Sequence, residues 1–132
     1  MAVYVDDAAL TWPQITIERE TKYGVSNIRV DLARNYNPKS KIKRPVLIMV
    51  HGFLGLNTFD GLLAAIPTRK YIAGAMHYGS IPSALPIEEY SEFVVRNIDA
   101  VIQYFGEKGH PVYLLDHSMG NMYFLMLDQK FN

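Results

Sequence analysis

Five consecutive apolar residues, Val46-Leu47-Ile48-Met49-Val50, constrain this chain more than any other stretch. A half-exposed strand alternates apolar and polar residues, because successive side chains point to opposite faces. A run that is apolar throughout belongs to a strand covered on both sides, the mark of a central and usually parallel strand. It ends in His51-Gly52-Phe53-Leu54-Gly55, a turn with two glycines. Tyr71 to Met76 and Val112 to Leu115 repeat the apolar pattern. The last of these gives way, through Asp116-His117-Ser118-Met119-Gly120, to a helix-compatible stretch from Asn121 to Gln129.

The segments between these runs supply the rest of the architecture. Ile15 to Glu20 and Asn27 to Ala33 alternate, and Lys22-Tyr23-Gly24 lies between them, which predicts an antiparallel hairpin at a sheet edge. Asn57-Thr58-Phe59-Asp60 opens a short helix that Pro67 stops. The clearest helix carries Tyr90, Phe93, Val94, Asn97, Ile98, Val101 and Phe105 at three- and four-residue steps. Glu88 and Glu89 suit its positive end, and Gly106 and Gly109 stand where it should stop. The order is hairpin, β, short α, β, α, β, α. That order predicts an α/β fold: a mostly parallel sheet with an antiparallel N-terminal hairpin and helices on both faces. Right-handed crossovers would bring the His51–Gly55 and Asp116–Gly120 turns to the same, carboxyl, edge of the sheet, where ligands bind in open α/β sheets.

Length and composition narrow the function classes. With 132 residues the chain is one domain, 1–132. Thirteen basic residues balance thirteen acidic ones, so nothing suggests a nucleic-acid surface; Lys39, Lys41, Lys43 and Arg44 read as a solvated loop. No run reaches the roughly 18 apolar residues of a membrane span. The N-terminus, MAVYVDDAAL, lacks the basic start of a signal peptide, and the expected location is cytoplasmic. Cysteine is absent, which excludes disulfides, and the four histidines have no metal-ligand spacing, so neither metal nor cofactor is expected.

Strand, single serine, helix is a pattern with chemical content. A serine at such a corner sits in a forced turn with its Oγ clear of the backbone. The helix start beside it offers unpaired N–H groups to an anion. Together these describe a nucleophile site for acyl transfer. Over nearly its whole length the chain resembles the α/β-hydrolase superfamily, in particular its lipase- and esterase-like members, and it corresponds to about their N-terminal half. His51-Gly52-Phe53-Leu54-Gly55 is similar to the family's His-Gly oxyanion turn, and His117-Ser118-Met119-Gly120 to its nucleophile elbow. The resemblance implies that Ser118 is the nucleophile and that the backbone N–H groups of Phe53 and Met119 hold the oxyanion. It makes His51 and Gly52 supports of the oxyanion turn, and Asp116, His117 and Gly120 supports of the elbow. The implied substrate is a small carboxylic ester or a lipid-like molecule.

Three features depart from that pattern, one of them Asn121 after Gly120, where many members have another glycine. Asp116 stands where the elbow normally has glycine. The catalytic acid and histidine of the family follow the serine in sequence; here 14 residues follow Ser118, with Asp128 as their one carboxylate side chain and no histidine. Of the upstream histidines, His77 is the least implausible base, and His110 falls at the opposite end of its strand. The expectation is therefore the N-terminal half of a serine hydrolase whose acid and histidine are missing from this chain. The alternative is a non-catalytic, truncated hydrolase-fold interaction subunit. In either case Val112–Leu115 would form an open apolar sheet edge, which predicts a homo-oligomer or a complementing chain.

Overall fold

A computed structural model describes residues 13–32, 36–50 and 69–116. These residues form strands β1 (Gln14–Thr21), β2 (Gly24–Leu32), β3 (Val46–Val50), β4 (Ile72–Met76) and β5 (Val112–Asp116), and one helix, α1 (Ile87–Glu107). The strands make a single sheet in the order β1-β2-β4-β3-β5. β1 and β2 are the expected antiparallel hairpin, and β2 runs antiparallel to β4. β3 pairs in parallel with β4 on one side and with β5 on the other. The sheet is thus mixed and mostly parallel about its centre, as the apolar runs predicted. The two helices expected over residues 57–66 and 121–129 lie outside the described residues, so helical cover is described on one face alone.

The central position of β3 follows from its composition. Val46, Ile48 and Val50 point to one face and are fully buried, and Met49, on the other face, is fully buried too. The first face packs against α1, whose Val94, Ile98, Val101 and Phe105 are all fully buried in the same core. Each such side chain contributes about 2 kcal/mol on leaving water. The predicted stripe on α1 is the one that is buried, and it includes Asn97, which no water reaches.

The end of α1 sets up β5. Gly109 adopts φ +89°, a conformation that costs a side chain with a Cβ but suits glycine. Its N–H donates to Gly106 O at 3.0 Å, and the His110 N–H donates to Phe105 O at 3.1 Å. This paired pattern satisfies two of the last helical carbonyls. The ring of His110 then packs edge-on to Phe105, with centroids 6.1 Å apart. His110 itself is buried, with Nδ1 2.9 Å from Arg44 O. It lies just before the amino end of β5, the end of the sheet remote from the candidate elbow. Among the described residues no helix is long and apolar enough to cross a membrane.

Candidate active site

The site is built from strand ends. β3 and β5 pair in register over five residues, from Val46 with Val112 to Val50 with Asp116. Their last residues are therefore direct neighbours, one strand spacing or about 5 Å apart. The chain leaves both strands at the same edge, and the next residues in sequence are His51 and His117. The two predicted motifs thus begin side by side on adjacent strands. The turns themselves lie outside the described residues, and with them His51, Gly52, Phe53, His117, Ser118, Met119 and Gly120. Asp116 is described as the last residue of β5.

A third strand ends at this edge. Met76 of β4 pairs with Val50, so His77 follows on the far side of β3 from β5. Its ring is held by β2. Nε2 lies 3.1 Å from Asp31 Oδ2 and 2.7 Å from Arg29 Nη2. Arg29 Nε completes the cluster at 3.2 Å from Asp31 Oδ1. The Asp31 side chain is 7% exposed and that of His77 16%, against 45% for Arg29. The carboxylate is thus a buried anion between the His77 ring and a solvated guanidinium that is close as a charge but does not hydrogen-bond Oδ1, which keeps the net worth of the pairing modest. The backbone ties in the same direction: His77 N–H donates to Arg29 O at 2.9 Å, and Ser80 N–H to Asn27 O at 3.1 Å. His77, the upstream histidine closest to a base role by sequence, is anchored two strand spacings, about 10 Å, from the end of β5.

Sequence reasoning did not single out a second polar assembly, around Asn97. Its Oδ1 accepts from Arg19 Nε at 2.6 Å. Its Nδ2 donates to Tyr78 O at 2.7 Å and to Ser26 Oγ at 3.0 Å. Ser26 Oγ donates onward to Ser80 O at 2.7 Å. The hairpin, the loop after β4 and α1 are thereby joined at one buried amide. The signal was present in the sequence: an asparagine within an apolar helical stripe must find partners in the core. Arg19 also lies over the Phe93 ring, its guanidinium carbon 4.8 Å from the centroid. Burial and then the repulsion of Arg96 press its pKa downward, though a guanidinium remains charged at any ordinary pH. Among the described residues no group of three or more histidine, cysteine, aspartate or glutamate side chains is arranged to hold a metal ion.

No family model matches the sequence, and no curated protein matches it. Solved structures do. Epoxide hydrolase VrEH1 from Vigna radiata is 21% identical, with a TM-score of 0.63 over 89% of this chain and 35% of its own. A Vigna radiata epoxide hydrolase mutant is 23% identical, with a TM-score of 0.60 over 86% of this chain and 34% of its own. The thioesterase domain from the curacin biosynthetic pathway is 23% identical, with a TM-score of 0.55 over 83% of this chain and 39% of its own. This chain thus spans little more than a third of the length of the structures it matches. All three have the same overall architecture, and the shared portion is its N-terminal part. The sheet of five strands and its helix are the N-terminal part of an α/β-hydrolase fold.

Proposed function

We propose that this chain is a serine-hydrolase-type domain that acts on carboxylic esters or lipid-like substrates through Ser118. The observation that carries the reading is the parallel register of β3 and β5, which starts the two motif-bearing turns from neighbouring strand ends. The named activities of the similar structures, epoxide hydrolase and thioesterase, support the hydrolase class. In this mechanism Ser118 Oγ attacks the carbonyl carbon, and the former carbonyl oxygen takes the negative charge. The N–H groups of Phe53 and Met119 hold that oxyanion, each worth about 3 kcal/mol in comparable sites. The tetrahedral intermediate collapses with loss of the alcohol, and water later releases the acid. Ser118 must pass its proton to a base, and that base and its acid partner would be supplied by a segment other than these 132 residues.

A second reading has one observation of its own. His77 is engaged by Asp31 and Arg29 on β2, and Asp116 occupies the elbow position normally held by glycine. Both suit a hydrolase fold retained as a non-catalytic interaction subunit. Treatment with a fluorophosphonate probe separates the two readings. Labelling mapped by intact mass and peptide sequencing to Ser118, and lost in Ser118→Ala, is the result expected of an activated serine. A folded protein left unlabelled in the presence of its complementing chain would refute catalysis.

A further inference from the structure

Away from the candidate elbow, the hairpin and the first turns of α1 enclose a cleft of about 380 Å³. Three cations line it, Arg19, Lys22 and Arg96, against two carboxylates, Glu89 and Glu92, which leaves a net charge of +1. Both carboxylates are engaged. Glu92 pairs with Arg96 at 3.1 Å, and Glu89 accepts from the Tyr23 hydroxyl at 2.9 Å. Arg19 is different. It is fixed by the buried Asn97 and by the Phe93 ring, yet among the described residues it makes no ion pair with a carboxylate. A partly buried guanidinium that is immobilised and has no carboxylate partner among the described residues is an anion site already organised. Lys22, over the Tyr23 ring at 5.2 Å, stands on the same wall.

The cleft continues past Tyr23 and Phe93, whose ring centroids are 6.2 Å apart, into a second hollow of about 260 Å³. There the walls include Val25, Ile81 and Pro82. Val25 is half exposed and Tyr23 nearly so, a costly arrangement for apolar surface unless something covers it. One groove thus has a cationic end and an apolar end, divided by two aromatic rings. The charge balance selects the ligand. A net +1 suits a monoanion, whereas a dianionic phosphate would face Glu89 and Glu92 across the same cleft.

We propose that this groove binds a monoanionic amphiphile, a carboxylate on an apolar chain, with the carboxylate at Arg19 and the chain along Ile81 and Pro82. The site is independent of Ser118 and of the proposed hydrolysis. Binding here would draw the hairpin and α1 together at the end of the molecule opposite β5 in the strand order.

The probe is decanoate, with decanol as the uncharged chain and inorganic phosphate as the chainless anion. Binding is read by calorimetry and by ¹H–¹⁵N NMR on the full chain. Decanoate is expected to bind with a Kd below about 1 mM, the range set by its size, and to move the Arg19 Nε–H and Asn97 side-chain resonances. Decanol and phosphate should bind about tenfold more weakly or not at all. Arg19→Gln should weaken decanoate by a similar factor. Because Arg19 also ties the hairpin to α1, the surface variant Lys22→Glu provides a second reading, with an expected several-fold loss and no change of fold. Equal binding of decanol or phosphate, shifts confined to other residues, or decanoate affinity unchanged in Lys22→Glu would each overturn the proposal.

Discussion

Replacing Asn97 with alanine tests the claim that one buried amide joins three segments of this fold. The side chain is fully buried and makes three hydrogen bonds, to Arg19 Nε, Tyr78 O and Ser26 Oγ. Two are neutral and net about 1 kcal/mol each. The third is charge-assisted and worth about 1.5–3 kcal/mol when its donor is dry. Arg19 is half-buried and regains some water on losing its partner, so the low end applies. The expected loss is about 3 kcal/mol, a large share of the total stability of about 5–15 kcal/mol typical of a domain. For a chain of this size that lowers Tm by about 10 °C. Urea unfolding measures it as a shift in midpoint at constant slope. A double-mutant cycle with Arg19→Met isolates the charge-assisted bond, with an expected coupling of about 1–2 kcal/mol. Asn97→Asp sharpens the test: it keeps an acceptor for Arg19 but sets a carboxylate oxygen against Tyr78 O. A loss under about 1 kcal/mol for Asn97→Ala, zero coupling to Arg19, or wild-type stability in Asn97→Asp would refute the reasoning.

Three further outcomes follow from the same packing. Gly79 has φ +97°, and a Cβ there would sit 2.6 Å from Asn97 Nδ2, so Gly79→Ala should cost about 2–3 kcal/mol in urea unfolding; a cost within error of zero would contradict this crowding. Burial raises the Tyr90 pKa, so the folded state favours the neutral phenol: that contribution is intact below the ordinary value of about 10 and is lost as pH rises through the raised folded value. Tyr90→Phe should therefore lose less stability than wild type between about pH 8 and pH 11, and parallel losses would count against it. On β5, which among the described residues pairs with β3 alone, Tyr113 is 58% exposed and Leu115 37%. Self-association through this edge is expected, and light scattering should show the Tyr113→Lys, Leu115→Lys double variant shifted toward monomer; a wild-type chain that is monomeric at micromolar concentration would end that expectation.

Hydrophobic pattern made the strands of this fold legible, and pairing decided what pattern could not. Val46–Val50 announced a strand covered on both sides, and it proved to be the one flanked by parallel neighbours. The alternation from Asn27 onward located β2 but missed its first three residues, Gly24 to Ser26. Val25 is a single apolar residue between Gly24 and the polar Ser26, so no alternation marks this stretch; it is strand because Thr21 and Gly24 face each other across a tight turn and the ladder with β1 extends to it. The helix likewise begins at Ile87, ahead of the acidic pair, with Pro86 O accepting from Tyr90 N–H at 2.8 Å, and it runs through Gly106 to Glu107 because packing at Phe105 outweighs one glycine. Strand order was not legible from pattern at all. Nothing local states that β4 inserts between β2 and β3; that follows from long-range pairing. The polar residues of the core were harder still. Asp31 lies in a strand and Asn97 in an apolar stripe, and their partners are 46 and 71–78 residues away in sequence for His77, Ser26 and Arg19.

His77 reaches the carboxyl edge of the sheet but is held at β2. Its Nε2 is approached from one side by the Asp31 carboxylate and from the other by the Arg29 guanidinium. An arginine can only donate, and a carboxylate can only accept. When Nε2 carries a proton it bonds to Asp31; when it does not, it accepts from Arg29. Both contacts hold Nε2 toward β2. The intervening strand β3 places the backbone of His77 two strand spacings from that of β5. On the proposed reading, a proton acceptor for Ser118 would come from the β5 side of the sheet, the side that the described strands leave open. β3 and β5 pair, so the two turns that the proposed reading assigns to the oxyanion and the nucleophile leave from neighbouring strand ends. On that reading, chain placed beside β5 would both cover its edge and bring the base.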